Sequence, residues 1–195
     1  MPYARIRLAS ASPRRSQLLR QIGVAHDVRP VDLDESRWSG ESPRDYVLRL
    51  AREKALAAVA SGDGIPVLGA DTTVAMGEEI FGKPRDEIDG VRMLAALSGR
   101  SHEVLTAVVL ACDGRLETAI SETRVTFRAI SEAECRSYWA SGEPADKAGA
   151  YAIQGLGAVF VTRLEGSYSG VMGLPLCETA TLLDAAGVRR WQVGA

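Results

Sequence analysis

The chain has no asparagine and only three lysines, Lys54, Lys83 and Lys147, against 20 arginines. Cysteine is scarce as well: Cys112, Cys135 and Cys177 are odd in number, widely spaced and form no Cys-x-x-Cys pair. With only His26 and His102 as soft companions, they argue against a disulfide framework or a structural zinc site. Buried, inert thiols are the expectation. Charge of either sign is not in excess, since 23 basic and 25 acidic residues leave a net −2. A general nucleic-acid binder would carry a strong basic surplus, so no nucleic-acid partner is expected. No apolar run approaches the ~18 residues of a membrane span, so no membrane association is expected. The segment Met1-Pro2-Tyr3-Ala4-Arg5 lacks the apolar core and small-residue cleavage site of a signal peptide. The expectation is therefore a cytoplasmic protein.

What is present suits a globular enzyme. The 195 residues are 46% hydrophobic, enough for a sizeable core in one folding unit spanning 1–195. The arginine bias makes the surviving lysines informative. Arg is a planar fork and Lys a compact point charge, so three retained lysines mark positions where a point charge is wanted, unless they survive by chance.

Hydrophobic spacing and turn chemistry outline an α/β chain. Ile6 to Ala9 reads as a short strand, and Ser12-Pro13 opens a helix that Gly23 closes. A second helix starts at Ser42-Pro43, with Asp45 in its first turn, and runs to a break at Ser61-Gly62. Pro66 to Ala70 reads as a buried strand delivering Asp71 and Thr72 at its end. Thr73 to Phe81 is a strand and a turn at Gly77. Ile88, Val91, Leu94 and Leu97 mark a third helix. Val104–Ala111 and Arg115–Ile130 are strand-like, joined through Asp113-Gly114, a hairpin signal. Ser131 with Glu134 forms a capping box for a fourth helix. Gly157 to Leu164 reads as another strand, and Pro175 to Ala186 as the last helix. Helices alternating with strands and hairpins predict a mixed sheet with flanking helices.

Four constellations could carry chemistry. Ser10-Ala-Ser12-Pro13-Arg14-Arg15 joins a strand to a helix, so free amides, the positive helix end, hydroxyls and two guanidinium forks converge as a phosphate requires. A capped helix with two solvated arginines is the plainer reading of that segment. The acids Asp34, Glu35 and Asp71 could hold a divalent ion against phosphates or take a proton from water, or simply form turns. Gly77 to Lys83 matches part of a P-loop, but Pro84 offers no hydroxyl and Glu78 and Glu79 would bring negative charge into the cradle, so a P-loop is rejected. Gly155-x-Gly157 precedes a strand-like run, which rules out a dinucleotide fingerprint. Finally, Gly142 to Gly155 is glycine-rich, holds Lys147, and ends near Gln154. That amide can present both a donor and an acceptor to a base edge, or serve as an ordinary loop hydrogen bonder.

Taken in order, these segments resemble a family. Leu8 to Arg15, Arg49-Leu-Ala-Arg-Glu-Lys54-Ala, Leu68-Gly-Ala-Asp71-Thr-Thr and Gly82-Lys83-Pro84 all take part. Leu97 to Glu103, Asp146 to Gly155, Gly166-Ser-Tyr and Gly173-Leu-Pro-Leu176 follow. The chain resembles the Maf-type nucleoside triphosphate pyrophosphatases over essentially its whole length. The resemblance implies a twisted mixed sheet with flanking helices, in two lobes around a cleft, similar to the inosine triphosphate pyrophosphatases, and a homodimer. It implies hydrolysis of a nucleoside triphosphate to monophosphate and pyrophosphate with a divalent cation, Mg2+ by expectation and Mn2+ as the alternative. The family's general base falls on Asp71, its substrate-binding positions on Ser10, Arg14, Arg15, Lys54 and Lys83, and its metal positions on Glu35 and Asp71. Arg14, Thr72 and Gln154 look like the branch acting on dTTP and UTP, with modified pyrimidine triphosphates as further candidates. The branch acting on 7-methyl-GTP carries Trp in place of Arg14 and Glu in place of Gln154. Gly170 stands where the family often has Asn. The competing reading from a different class is a non-catalytic, septation-inhibiting nucleotide binder.

Overall fold

The computed structural model describes residues 3–59 and 63–191. The expected break at Ser61-Gly62 and the residues Met1 and Pro2 lie outside that range. One seven-stranded mixed sheet organises the chain. Strand β1 (Ile6–Leu8) leads into helix α1 (Pro13–Gln21), and β2 (His26–Val28) returns parallel to β1. Ser12 caps α1 by accepting the Arg15 amide, and Pro13 opens the helix. After an irregular stretch comes α2 (Pro43–Ala57), capped by Ser42. β3 (Val67–Met76) is parallel to β1 and turns through Gly77 into the antiparallel β4 (Glu79–Phe81). The Gly77–Lys83 stretch is thus a hairpin and the loop after it.

Helix α3 (Glu87–Leu97) precedes the long antiparallel pair β5 (Ser101–Cys112) and β6 (Arg115–Phe127). Their turn residues Asp113 and Gly114 both have positive φ, 49° and 75°, as a tight hairpin with matching twist demands. α4 (Glu132–Ala140) carries the complete Ser131–Glu134 capping box. β7 (Val161–Glu165), α5 (Tyr168–Val171) and α6 (Leu176–Ala185) are the last elements among the described residues. No helix among the described residues is long and apolar enough to cross a membrane.

Three sequence expectations change. Asp71 and Thr72 do not end a strand: β3 runs on to Met76 because it stays paired with β5 from Val67↔Ala111 to Ala75↔Glu103. The run 157–164 is not one strand. Residues Leu156–Phe160 coil as a 3-10 turn and only Val161 onward joins the sheet, since an apolar run without alternation does not distinguish strand from helical turn. Of the thiols, Cys135 is buried, Cys112 partly so, and Cys177 exposed on the outer side of α6.

The core lies in separate bodies, and the site sits where they meet. Leu8, Leu19, Leu68, Leu110 and Leu183 pack on one face of the sheet, with α1 and α6. Val47, Ala51, Ala55 and Val109 pack on the other, under α2. A third body, with Phe81, Leu94, Val125, Phe127 and Tyr151, gathers α3, α4 and the far ends of the long strands. On one edge, β3 pairs with β1 up to Leu68 and with β4 from Val74, leaving Gly69 to Thr73 without a strand partner on that side. A cleft of about 610 Å³ opens at this gap, between the two lobes.

Candidate active site

β3 alternates its side chains across the sheet, so Asp71 and Thr73 face one side and Thr72 the other. Asp71 points toward α2. There Lys54, one helical turn after Leu50 and Ala51, places its Nζ 2.6 Å from Asp71 Oδ1. The same ammonium lies 2.6 Å from Glu35 Oε1. Lys54 and Asp71 are buried, with side chains 11% and 10% exposed, whereas Glu35 at 51% forms the rim. Tyr46 on α2 donates its hydroxyl to the Glu35 carbonyl at 2.9 Å and so fixes that loop to the helix. Asp34 instead accepts the Ser36 amide at 2.9 Å in a local turn bond and does not line the cleft.

Close approach of α2 and β3 makes this arrangement possible. At Gly69 a Cβ would lie 2.3 Å from the Ala51 carbonyl and 2.6 Å from the Ala55 nitrogen. Only glycine lets the helix settle near enough for Lys54 to reach Asp71. Burial pushes the Asp71 carboxyl above the usual carboxylate range, although Lys54 and Arg15 pull it the other way. A carboxylate raised in this manner can take a proton.

Arg15, in the first turn of α1, reaches across the opposite side of β3. Its Nε donates to the Gly173 carbonyl at 2.8 Å, one terminal nitrogen to Ser10 Oγ at 3.0 Å, and the other to Thr72 Oγ1 at 3.2 Å. Burial lowers its pKa against the pull of Asp71, and a guanidinium remains charged regardless. Thr106 also donates to Thr72 at 3.0 Å, or to the Gly170 carbonyl at 2.8 Å. Arg14 points elsewhere, to Asp146 at 3.9 Å. Lys147 pairs with that same Asp146, so both lobes meet at one rim carboxylate. Lys83, after β4, and Gln154 line the cleft and are exposed.

Every site residue expected from the sequence therefore lines one cleft: Ser10, Arg14, Arg15, Glu35, Lys54, Asp71, Thr72, Lys83 and Gln154. Within it Arg15, rather than its neighbour Arg14, lies on Thr72. Sequence reasoning passed over Thr106, and marked Lys147 and its segment without giving Asp146 or Lys147 a role in the site. Thr106 did leave a signal, as the one hydroxyl in the apolar run Val104–Ala111.

Among the described residues no group of three or more His, Cys, Asp or Glu forms a metal cage. Asp71 and Glu35 nonetheless each place an oxygen 2.6 Å from the one Lys54 ammonium, so two carboxylates converge on the same part of the cleft. Mg2+ is commonly held by one or two carboxylates together with substrate phosphates, and this donor set fits that habit.

Comparison with known proteins agrees with the motifs. Residues 5–186 match the family described as Maf-like protein. The chain is 56% identical over 189 residues to a dTTP/UTP pyrophosphatase of Saccharophagus degradans, spanning 95% of this chain and 90% of that protein. It is 53% identical over 193 residues to a dTTP/UTP pyrophosphatase of Bordetella avium, with 94% and 96% covered. Among solved structures, the Staphylococcus aureus Ham1 protein aligns at a TM-score of 0.41 and 14% identity, covering 66% of this chain and 72% of that one. With the family match running through β1 to α6 and close relatives along nearly the whole length, the chain belongs to the Maf-like protein family.

Proposed function

We propose that this protein is a nucleoside triphosphate pyrophosphatase that converts dTTP and UTP to the monophosphate and pyrophosphate. The observation that carries the reading is the single cleft with Asp71, Lys54 and Glu35 on one wall and Arg15, Ser10 and Thr72 on the other. A triphosphate brings roughly four negative charges, and Arg14, Arg15, Lys54 and Lys83 oppose them from different elements. Arg15, already fixed by three hydrogen bonds, presents a preorganised fork whose orientation costs nothing further at the moment of reaction. Asp71 orients a water and takes its proton as the water attacks the α-phosphorus; the bond from that phosphorus to the bridging oxygen breaks and pyrophosphate departs. Lys54 aims the Asp71 carboxylate and opposes the upward push of burial on its pKa. A Mg2+ ion, or Mn2+ in its place, held by Glu35 and Asp71 together with the phosphates, would supply further neutralisation of the leaving group.

Gln154 and Thr72 are the base-reading positions. Uracil and thymine offer an N3–H donor between two carbonyl acceptors, which a Gln amide matches by accepting and donating at once. Cytosine lacks N3–H and puts a donor at position 4, so an amide held in the orientation that reads uracil meets a mismatched pattern there. An unpaired polar group costs ~1–3 kcal/mol, enough for roughly ten- to hundredfold discrimination. Arg14 and Gln154 stand against the 7-methyl-GTP branch. Against a non-catalytic binder stands the buried Asp71, which a mere binding site has no use for beside phosphates. A panel of kcat/KM values is the test: UTP and dTTP turned over well, CTP poorly, 7-methyl-GTP hardly at all. A ranking with CTP or 7-methyl-GTP above UTP refutes the assignment. The same reading expects a cytoplasmic homodimer, which light scattering checks against the 20.8 kDa chain.

A further inference from the structure

The turn carrying Gln154 is held from behind by a single carboxylate. The Gly155 amide donates to the Ala152 carbonyl at 3.2 Å, closing a turn with Ile153 and Gln154 at its tip. Glu143 Oε2 accepts the Leu156 amide at 2.9 Å, and its Oε1 accepts the Gly157 amide at 3.0 Å. Tyr138, on α4, donates its hydroxyl to the same Oε1 at 2.7 Å and accepts the Ala152 amide at 3.0 Å. Backbone amides on both sides of Gln154 thus end on one Glu–Tyr pair.

The chemistry suits a carboxylate in particular. Two neighbouring amides and a hydroxyl are all donors, and an ionised Glu accepts at both oxygens, whereas a Gln would turn an NH2 toward one of them. Burial works against ionisation of Glu143, but Tyr138 and the two amides hold its carboxyl below the usual range. Gly155 belongs to the same device, because a Cβ there would lie 2.0 Å from Glu143 Oε2. Ala152, Ile153 and Gln154 line the cleft, while Glu143 and Tyr138 do not.

The geometry points to Glu143 as a positioning residue for nucleobase choice: with Tyr138 it fixes the turn that aims the Gln154 amide at the pairing edge of the base. This rests on the proposed hydrolysis of UTP and dTTP. An amide free to swing matches cytosine as well as uracil, so a loosened turn lowers discrimination rather than phosphate chemistry.

The test compares UTP with CTP in the unaltered enzyme and in Glu143→Gln, Tyr138→Phe, Gln154→Ala and the Glu143→Gln/Gln154→Ala double variant. Glu143→Gln should cut the UTP/CTP ratio of kcat/KM by about tenfold, through the KM for UTP, with kcat nearly unchanged. Tyr138→Phe should act in the same direction but less. The double variant should discriminate no worse than Gln154→Ala alone, since both changes act on one interaction. Equal losses for UTP and CTP, or additive losses in the double variant, overturn the proposal. Should Glu143→Gln fail to fold, Tyr138→Phe decides. An unaltered enzyme with no preference for UTP fails the substrate reading; one with the preference, whose variants keep it, fails this proposal alone.

Discussion

Asp71 is held between opposing influences, and its chemistry follows from the balance. Burial favours the protonated acid, while Lys54 at 2.6 Å and Arg15 favour the carboxylate, and burial prevails. Asp71→Asn preserves the shape and removes the proton acceptor, so steady-state kinetics should show kcat lower by ~10²–10⁴ with KM little changed. Near-normal turnover would remove Asp71 from the role of base. The raised pKa also predicts the form of the pH profile. Since only the ionised carboxylate accepts a proton, kcat/KM should climb as pH rises through the Asp71 pKa, along an acid limb centred above the ordinary 3.8. A limb at or below that value would contradict the burial argument. For stability the sign is opposite. Between 3.8 and the raised value the folded state binds the extra proton, so this group's contribution is present at low pH and lost as pH rises through its folded pKa.

At the scale of elements, the closeness of α2 and β3 determines whether the trio of Lys54, Asp71 and Glu35 exists. Gly69 is the contact point, with the Ala51 carbonyl and Ala55 nitrogen inside the space a Cβ would need. Gly69→Ala meets backbone rather than a flexible side chain, so the helix itself must move. The expected cost is about 1–3 kcal/mol, read as a fall of several degrees in Tm for a chain of this length. Activity should fall further than stability implies, because displacing α2 withdraws Lys54 from Asp71. An Ala variant with unchanged Tm and turnover would show that the helix can shift without consequence for the site.

Across the whole molecule, the site lies at a gap in the sheet edge between β1 and β4, where cores from both lobes meet. On the proposed reading a triphosphate there would touch Arg15 and Lys54 from one lobe and Lys83 from the other, adding to the rim contacts at Asp146. Binding to the native state alone stabilises it by about 2.7 kcal/mol at a hundredfold excess over Kd. A non-hydrolysable UTP analogue with Mg2+ should therefore raise Tm by about 5–10 °C. The Asp71→Asn variant should retain most of that rise, which thermal unfolding of both proteins checks. Omitting the cation should shrink the shift and abolish turnover, and restoring Mg2+ should recover both; a shift and a rate indifferent to chelator would argue against the ion.

By itself the sequence determined whatever depends on near neighbours along the chain. Ser12-Pro13, Ser42-Pro43 and the Ser131–Glu134 box open their helices as read, and Asp113-Gly114 turns the hairpin, because caps and turns are satisfied within three or four residues. The ordered motifs likewise carried the family and the roster of cleft residues. Tertiary structure alone decided how those residues pair. Lys54 meets an acid 17 positions away, and Arg15 reaches a carbonyl 158 positions on. The Gln154 turn depends on Glu143 rather than on its own loop. Pairings of this kind follow from how closely a helix packs on a strand and where a sheet edge lies open, and local spacing carries neither. For the same reason the run Gly157–Leu164 reads as one strand although it begins within a 3-10 turn, where the Leu156 and Gly157 amides donate to Glu143, a partner outside the run.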